Sequence, residues 1–504
     1  MIEVEVHHLL RQFLRSHKPP IWPHHLTMAR LVARALRLGR SALIQTGYPA
    51  ISRSRYQLSY LLPALLGSAP TVIVAPAPLQ THLLSQEIPH LCQALNLNHF
   101  MSPEYLQQGE TWPDGFQGLL LTTPQAWLAD RFTYQGKFPQ DIPTIIDVAD
   151  DLELWSREQL TRCLVPGDWS DWIAATPGAG TDIEQVQRQL THLLFAHPVN
   201  PYQCCLIDTS EQEILTPFLV TFGSQLPAPW QAFWTQWQQP EQLKWATLHP
   251  DQEEFTLHCG PIDLATPLTS VWAQQPIVLV GSILDVGTQA PIYRQNLGLG
   301  ELTCVKFSPD RHHNLIQVYI PDGMPLPNTP EFATRLWQEI RTLLYMRASI
   351  PGLTVLLVND VPLKTKIGAM LAGEFGSKVQ VEKLGVSASG ILITGWDFWR
   401  HYQGQLPAPD LFIISTLPLP SLEDPRVAGR VAYYKQHQIN WFNQYLLPTA
   451  LNILQRSVAP VRDTQGVVAL LDSRIIHRSY GPQVLAALSP HARIDYLDTL
   501  WLTR

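Results

Sequence analysis

Short runs that are apolar at every position, rather than at alternate ones, constrain this chain more than any other feature. "SALIQTG" (41–47), "PTVIVAP" (70–76), "FQGLLLTTP" (116–124), "IPTIIDVADD" (142–151) and "QPIVLVGSIL" (275–284) are all of this kind. A strand with one wet face alternates apolar and polar residues, whereas a strand covered on both faces does not. Between these runs lie stretches with helical spacing, such as "LTMARLVARALRL" (26–38) and "YQLSYLLPALLG" (56–67). Buried strands alternating with helices predict a parallel sheet with helices on both sides. A second series follows, with "LTVLLVND" (353–360), "KVQVEKLG" (378–385), "SGILITGWD" (389–397), "DLFIISTLP" (410–418) and "QGVVALLDSR" (465–474). The predicted organisation is therefore α/β with two parallel-sheet domains. Residues 1–155 with about 266–285 form the first, and 286–504 the second. Residues 156–265, rich in Trp, Gln and Leu ("DIEQVQRQLTHLLFAH", "PWQAFWTQWQQPEQLKWATL"), read as a helical insertion in the first.

At 504 residues the chain is too long for one core. Hydrophobic residues make up 45% and charged residues 15%, a globular composition rather than a disordered one. The formal net charge of −7 excludes a generally basic nucleic-acid binder, so any DNA contact requires cations gathered in one groove. Six cysteines without a C-x-x-C spacing predict free thiols in a reducing compartment. No apolar run reaches the roughly 20 residues of a membrane span, and "MIEVEVHHLL" lacks the charged start of a signal peptide. A soluble, cytoplasmic protein without membrane partners is the expectation. The histidine pairs at 7/8, 24/25 and 312/313 lack metal-ligand spacing and are expected at the surface.

In wound parallel sheets ligands gather beyond the carboxyl ends of the strands. The segments "ILITGWDFWRHYQG", "LFIISTLPLPSLEDPRVAGR" and "LPTALNILQRSVAPVRDTQGVVALLDSRIIHRSYG" follow one another as in the second RecA-like lobe of DinG/XPD-type helicases. The first half resembles the same family in order. "WPHHLTMARLVARAL" resembles its adenine-side helix and "ALIQTG…YLLPALL" its Walker A strand and helix. "TVIVAPAPLQTHLL" resembles the DNA-contact motif that follows, and "TIIDVADDLE" the Walker B element. The resemblance implies two RecA-like domains, ATP and Mg²⁺ as cofactors, and unwinding of or movement along single-stranded or forked DNA. On that footing His25, Gly47, Arg53, Arg55 and Gln455 are the nucleotide-binding candidates. Asp147 is the Mg²⁺ ligand, Asp147 and Arg462 the catalytic candidates, and Gln80, Phe398 and Trp399 the DNA contacts.

The departures from the family fall on the chemical positions. Only Gly47 remains of the phosphate-cradling glycines, and Arg55 or Tyr56 stands where the loop lysine belongs. Arg53 and Arg55 read either as an anion cradle or as solvated loop residues. Val148 replaces the glutamate that would activate water, and Asp150 stands for the family's histidine. Asp147, Asp150 and Asp151 also suit a helix start, where acids answer open N–H groups. In "QRSVAPVR", Gln455 and Arg462 are kept but Ala459 replaces the first arginine, and Arg462 serves equally as a structural residue. Arg400 replaces an acidic residue after Phe398 and Trp399, which read as base-stacking or as core. Gly281, Ser282 and Ile283 replace the Ser-Ala-Thr coupling motif. Only Cys92 lies between the Walker elements, so the four-cysteine Fe–S site of some relatives is not expected. The implied activity is an ATP-dependent DNA helicase with weak or lost hydrolysis. The alternative is a non-catalytic scaffold for DNA or a protein partner.

Overall fold

The computed structural model describes residues 2–16, 22–48, 55–176, 178–308, 315–347 and 350–495. Its strands, in chain order, begin with β1 (Ala42–Gln45), β2 (Thr71–Val74), β3 (Leu106–Gln108), β4 (Leu119–Thr122) and β5 (Thr144–Ile146). Then come β6 (Arg162–Leu164), β7 (Cys204–Leu206), β8 (Gln242–His249), β9 (Glu254–Pro261), β10 (Ile277–Gly281) and β11 (Thr303–Lys306). The second half supplies β12 (Ile316–Tyr319), β13 (Leu353–Leu357), β14 (Val379–Val381), β15 (Ile391–Thr394), β16 (Pro409–Ile414), β17 (Val467–Leu470) and β18 (His491–Ile494).

They form two seven-stranded parallel sheets, ordered β11-β1-β10-β5-β2-β4-β3 and β14-β15-β13-β16-β17-β12-β18. Every residue of β1, β2, β4, β5 and β10 is buried, as the unbroken apolar runs require. Alternate residues enter opposite cores. Ile44, Ile73, Ile145 and Val280 pack on one face of the first sheet, with Leu43, Val72, Ile146 and Leu279 on the other. The second sheet divides likewise, Val355 and Phe412 against Leu356 and Ile413.

Two of the expected boundaries are corrected. The first lobe does not end near 285, because β11 pairs in parallel with β1, Ala42 opposite Thr303. Its residues are half-buried or exposed at a sheet edge, so it carries no fully apolar run to reveal it. The insertion is not all helical, since β6-β9-β8-β7 form a four-stranded sheet whose paired neighbours are antiparallel. "QLKWATLH" is strand β8 with mixed burial, not the continuation of the tryptophan-rich helix Ala228–Trp237 before it. An N-terminal helix, Ile2–Arg15, adds Val6, Leu10 and Phe13 to the first core.

The insertion leaves the first lobe and touches the second. β7 and β8 press on helix Pro425–Gln436 so closely that a Cβ at Gly429 would lie 2.5 Å from Leu243. The Tyr433 hydroxyl also donates to Glu241 at 2.9 Å. The insertion's own core centres on Trp230, whose ring lies 4.5 Å from both Trp169 and Trp172. Trp230→Ala is expected to cost about 3–5 kcal/mol, because a large cavity opens among rings that cannot collapse into it. Urea unfolding followed by tryptophan fluorescence checks this.

Candidate functional site

Just past the end of β1 the backbone is still tied to its neighbouring strand. The parallel ladder with β10 continues, Thr46 N–H donating to Gly281 O at 2.9 Å and Gly47 N–H to Ser282 O at 2.8 Å. Gly47 sits at φ +79°, a conformation that glycine adopts without strain. Its amide is thus directed at protein, not outward. Gln45, fully buried, accepts N–H bonds from Leu284 and Asp285 and donates to Gly287 O, fixing the loop after β10.

Asp147, just beyond β5, is 0% exposed. Tyr56 donates its hydroxyl to Oδ1 at 2.8 Å and Tyr60 donates to Oδ2 at 2.7 Å, while Val148 N–H donates to Oδ1. Both tyrosines precede or lie in helix Leu58–Leu66, directly after the loop. Burial pushes the Asp147 carboxyl from 3.8 up to about 6, against the opposing pull of the two tyrosine hydroxyls. Burial and the nearby aspartate raise both tyrosines well above their ordinary value, so they remain donors.

The neighbouring acids are also engaged. Asp150 accepts from Ser282 N–H at 2.7 Å, from the Ser282 hydroxyl and from Ile283 N–H, joining the ends of β5 and β10. Asp151 meets Arg456 of the second lobe in a two-pronged ion pair, its second contact 3.0 Å. Asn452 reinforces that crossing by donating to Ile283 O at 2.9 Å. Arg456 and Asn452 escaped the sequence reading because each is an ordinary polar residue on the helix Leu447–Asp463. Only pairing between lobes reveals them.

Gly47, Gln455 and Arg462 do come together. They line one inter-lobe cleft of about 220 Å³ with Ser282, Lys306 and Ala459. That is below the roughly 300–1,000 Å³ of ordinary small-molecule sites. Arg462 spends its guanidinium on the carbonyls of Leu488, Ser489 and Pro490, and burial lowers it to about 10. Gln455 donates to Ala487 O at 2.8 Å. Lys306 donates to the carbonyls of Asp285 and Val286.

Other expected site residues stand elsewhere. His25 is buried, not at the surface, shares a hydrogen bond with Ser59 at 2.9 Å and packs edge-on to Trp22. Arg55 stands outside the cleft and, though partly exposed, grips Glu87 with contacts of 2.7–3.1 Å. Arg53 lies outside the described residues. Gln80 is buried, donating to Ala75 O at 2.7 Å and accepting from Gln108. Trp399 is buried against Phe412 and donates to Ser457 O at 3.0 Å. Gln80 and Trp399 are therefore core residues rather than nucleic-acid contacts, whereas Phe398 is half-buried beside Tyr402. The segment match in the second lobe has a structural basis. Asp472 accepts from Leu417 N–H at 2.8 Å and holds Arg474, and Asp424 caps helix Pro425–Gln436.

Comparison with known proteins matches residues 391–491 to the Helicase C-terminal domain family. The chain is 22% identical over 252 residues to the ATP-dependent DNA helicase YoaA of Escherichia coli. It is 25% identical over 279 residues to the ATP-dependent DNA helicase DinG of Photobacterium profundum. These alignments take in 47% and 50% of this chain and 40% of each relative. An XPD helicase structure superposes with a TM-score of 0.58 at 12% identity, over 93% of this chain and 99% of that one. The Xpd4 structure from S. tokodaii gives 0.56 at 11% identity, over 94% and 99%. The chain is thus similar in sequence to DinG-type helicases over about half its length and shares the XPD helicase fold.

Two RecA-like lobes are present, and the Asp147 carboxylate just beyond β5 is sealed between tyrosines. Among the described residues no group of three or more His, Cys, Asp or Glu is arranged to hold a metal ion. No described helix is long and apolar enough to cross a membrane. Tyr60→Phe is expected to destabilise the protein by about 1.5–3 kcal/mol at pH 7, since a buried carboxylate oxygen loses its hydroxyl donor. The folded-state value of Asp147 lies above the unfolded one, so the folded chain binds the extra proton between pH 3.8 and about 6. Stability from this group falls as pH rises through that window and stays at its lowest above it. Chemical denaturation at pH 5 and pH 7 should show this difference shrinking in Asp147→Asn.

Proposed function

We propose that this chain is a DNA-helicase-family protein that binds single-stranded DNA without hydrolysing ATP. The observation that carries the reading is the sealed Asp147, both of whose oxygens accept tyrosine hydroxyls where a Mg²⁺ ligand needs an open lone pair. The residues present do not fit Mg·ATP. Tyr56 has a neutral hydroxyl in the lysine's region, Val148 has no proton-accepting atom for the attacking water, and Ala459 has no charge to offer a phosphoryl group. Phosphoryl transfer is catalysed by positioning and electrostatic stabilisation, so the loss of all three groups leaves little to lower the barrier. Single-stranded DNA is proposed because the relatives named above are DNA helicases and both lobes of that fold are kept.

Calorimetric titration of Mg·ATP is expected to give no heat up to millimolar concentration, with or without single-stranded DNA. Steady-state hydrolysis should match the buffer blank. A labelled oligonucleotide should bind with an affinity that falls as salt rises, log K against log salt having a slope of roughly −0.7 per phosphate contacted. Hydrolysis stimulated by single-stranded DNA and abolished by Asp147→Ala would overturn the proposal. DNA binding that is absent at low salt would leave the protein-scaffold reading in its place.

A further inference from the structure

The first 40 residues carry six arginines and one lysine against two glutamates, in a chain whose formal net charge is −7. Most of that local surplus falls on two helices, Ile2–Arg15 and His25–Leu38. Each turns an apolar stripe inward, Val6, Leu10 and Phe13 from the first and Met28, Val32 and Ala33 from the second. The opposite stripes are left to solvent. On the second helix Arg30, Arg34 and Arg37 are exposed at the three- and four-residue steps that align side chains along one face, with Leu38 beside them. On the first, Val4, His8, Arg11 and Arg15 are exposed at the same steps.

Arg37 donates to Glu3 at 2.8 Å, which ties the end of the second helix to the start of the first. Val4, 65% exposed, and Leu38, 39% exposed, follow those two residues in the chain, so apolar surface lies close to the pair. Arg11, Arg15, Arg30 and Arg34 have no carboxylate within ion-pair distance among the described residues, and Glu5 is the one further acid on the two helices. None of these residues lines either inter-lobe cavity, the cleft of about 220 Å³ or a larger one of about 510 Å³. Charge on a helix face is ordinarily solvated, but two features set this one apart. Its cations are all arginine, with no lysine on either helix. Arginine is enriched and lysine depleted in protein interfaces, because a planar guanidinium is weakly hydrated and forks onto carboxylates. A phosphate backbone makes no such distinction, since either cation releases its counterions. The second feature is the exposed apolar side chains, which a phosphate backbone would leave uncovered.

We propose that this face docks an acidic protein segment, an extended run of Asp and Glu interrupted by an apolar side chain. The carboxylates would take the forks of Arg30 and Arg34, and the apolar side chain would cover Leu38 and Val4. From Arg30 to Leu38 the face runs about 12 Å along the helix axis, the reach of about four residues of extended chain. The inference is independent of how the lobes treat ATP or single-stranded DNA, because the face stands apart from both inter-lobe cavities.

The test is fluorescence anisotropy on the full chain with a short labelled peptide of Asp and Glu carrying one central Leu. The comparison probes are the same peptide with Ser in place of that Leu and a short DNA duplex. The Leu peptide is expected to bind most tightly of the three, and less tightly as salt rises, since the ion pairs are exposed. Arg30→Glu and Arg34→Glu together should weaken it by about tenfold or more, and Leu38→Ser by a smaller factor. Neither variant should lower the melting temperature appreciably, because exposed positions outside the core contribute little to stability, which separates loss of binding from loss of fold. Tighter binding of the duplex than of the peptide, lost on the same charge reversal, would make the face a nucleic-acid surface and overturn the proposal. Peptide binding that survives the charge reversal, that is equal with Ser for Leu, or that is absent at millimolar concentration also overturns it.

Discussion

A carboxylate with no solvent exposure must be answered by donors, and at Asp147 those donors are two tyrosine hydroxyls. Much of the first lobe's geometry follows from that requirement. Tyr56 and Tyr60 are one helical turn apart, so their hydroxyls converge on one side chain only if helix Leu58–Leu66 lies against the end of β5. Replacing an ion by neutral hydroxyls also changes the electrostatics. The carboxylate keeps hydrogen bonds but gains no compensating positive charge, which is why its affinity for a proton rises instead of falling.

The join between the lobes has the same character. Arg456 on Asp151, Asn452 on Ile283 O and Gln444 on Gln295 cross the interface, and the insertion adds a contact with the second lobe through Glu241 and Tyr433. A two-lobed machine driven by a ligand needs states whose contacts differ with that ligand bound. Here two cations lining the smaller cleft are committed to backbone carbonyls. Arg462 braces three carbonyls within its own lobe, and Lys306 braces two within the other.

Most of the parallel-sheet framework was legible because burial on both faces writes itself as unbroken apolar runs, and the core strands β1, β2, β4, β5 and β10 lie in those runs. The first lobe's edge strands were not legible. β3 and β11 are half-wet and short, so neither periodicity nor apolar run marks them. The site was legible in its departures and obscure in its repairs. That Val148 and Ala459 lack the needed chemistry can be read from residue type. That Tyr60 reaches Asp147 across 87 positions, or Arg456 reaches Asp151 across 305, depends on tertiary placement that no local pattern encodes. Gln80 lies in the core for a related reason, its amide consumed by the Ala75 carbonyl and the Gln108 amide, as burial demands. Trp399 takes the core reading of the two its residue type allowed, its N–H given to Ser457 O.

Why the second lobe keeps the family's segments so well while the chemical positions differ has a physical answer. Asp472 fixes the chain at Leu417 and anchors Arg474, Asp424 starts the helix on which the insertion rests, and Trp399 locks to the helix that carries Gln455 and Arg462. These are framework bonds, and any chain that folds this way needs equivalents whether or not it turns over nucleotide. The side chains of Ala459 and Val148 can make no such bonds. Similarity concentrated in the framework therefore testifies to architecture, and function has to be argued from the sites that the architecture leaves open. In this molecule the larger of the two described inter-lobe openings is not the one beside Gly47.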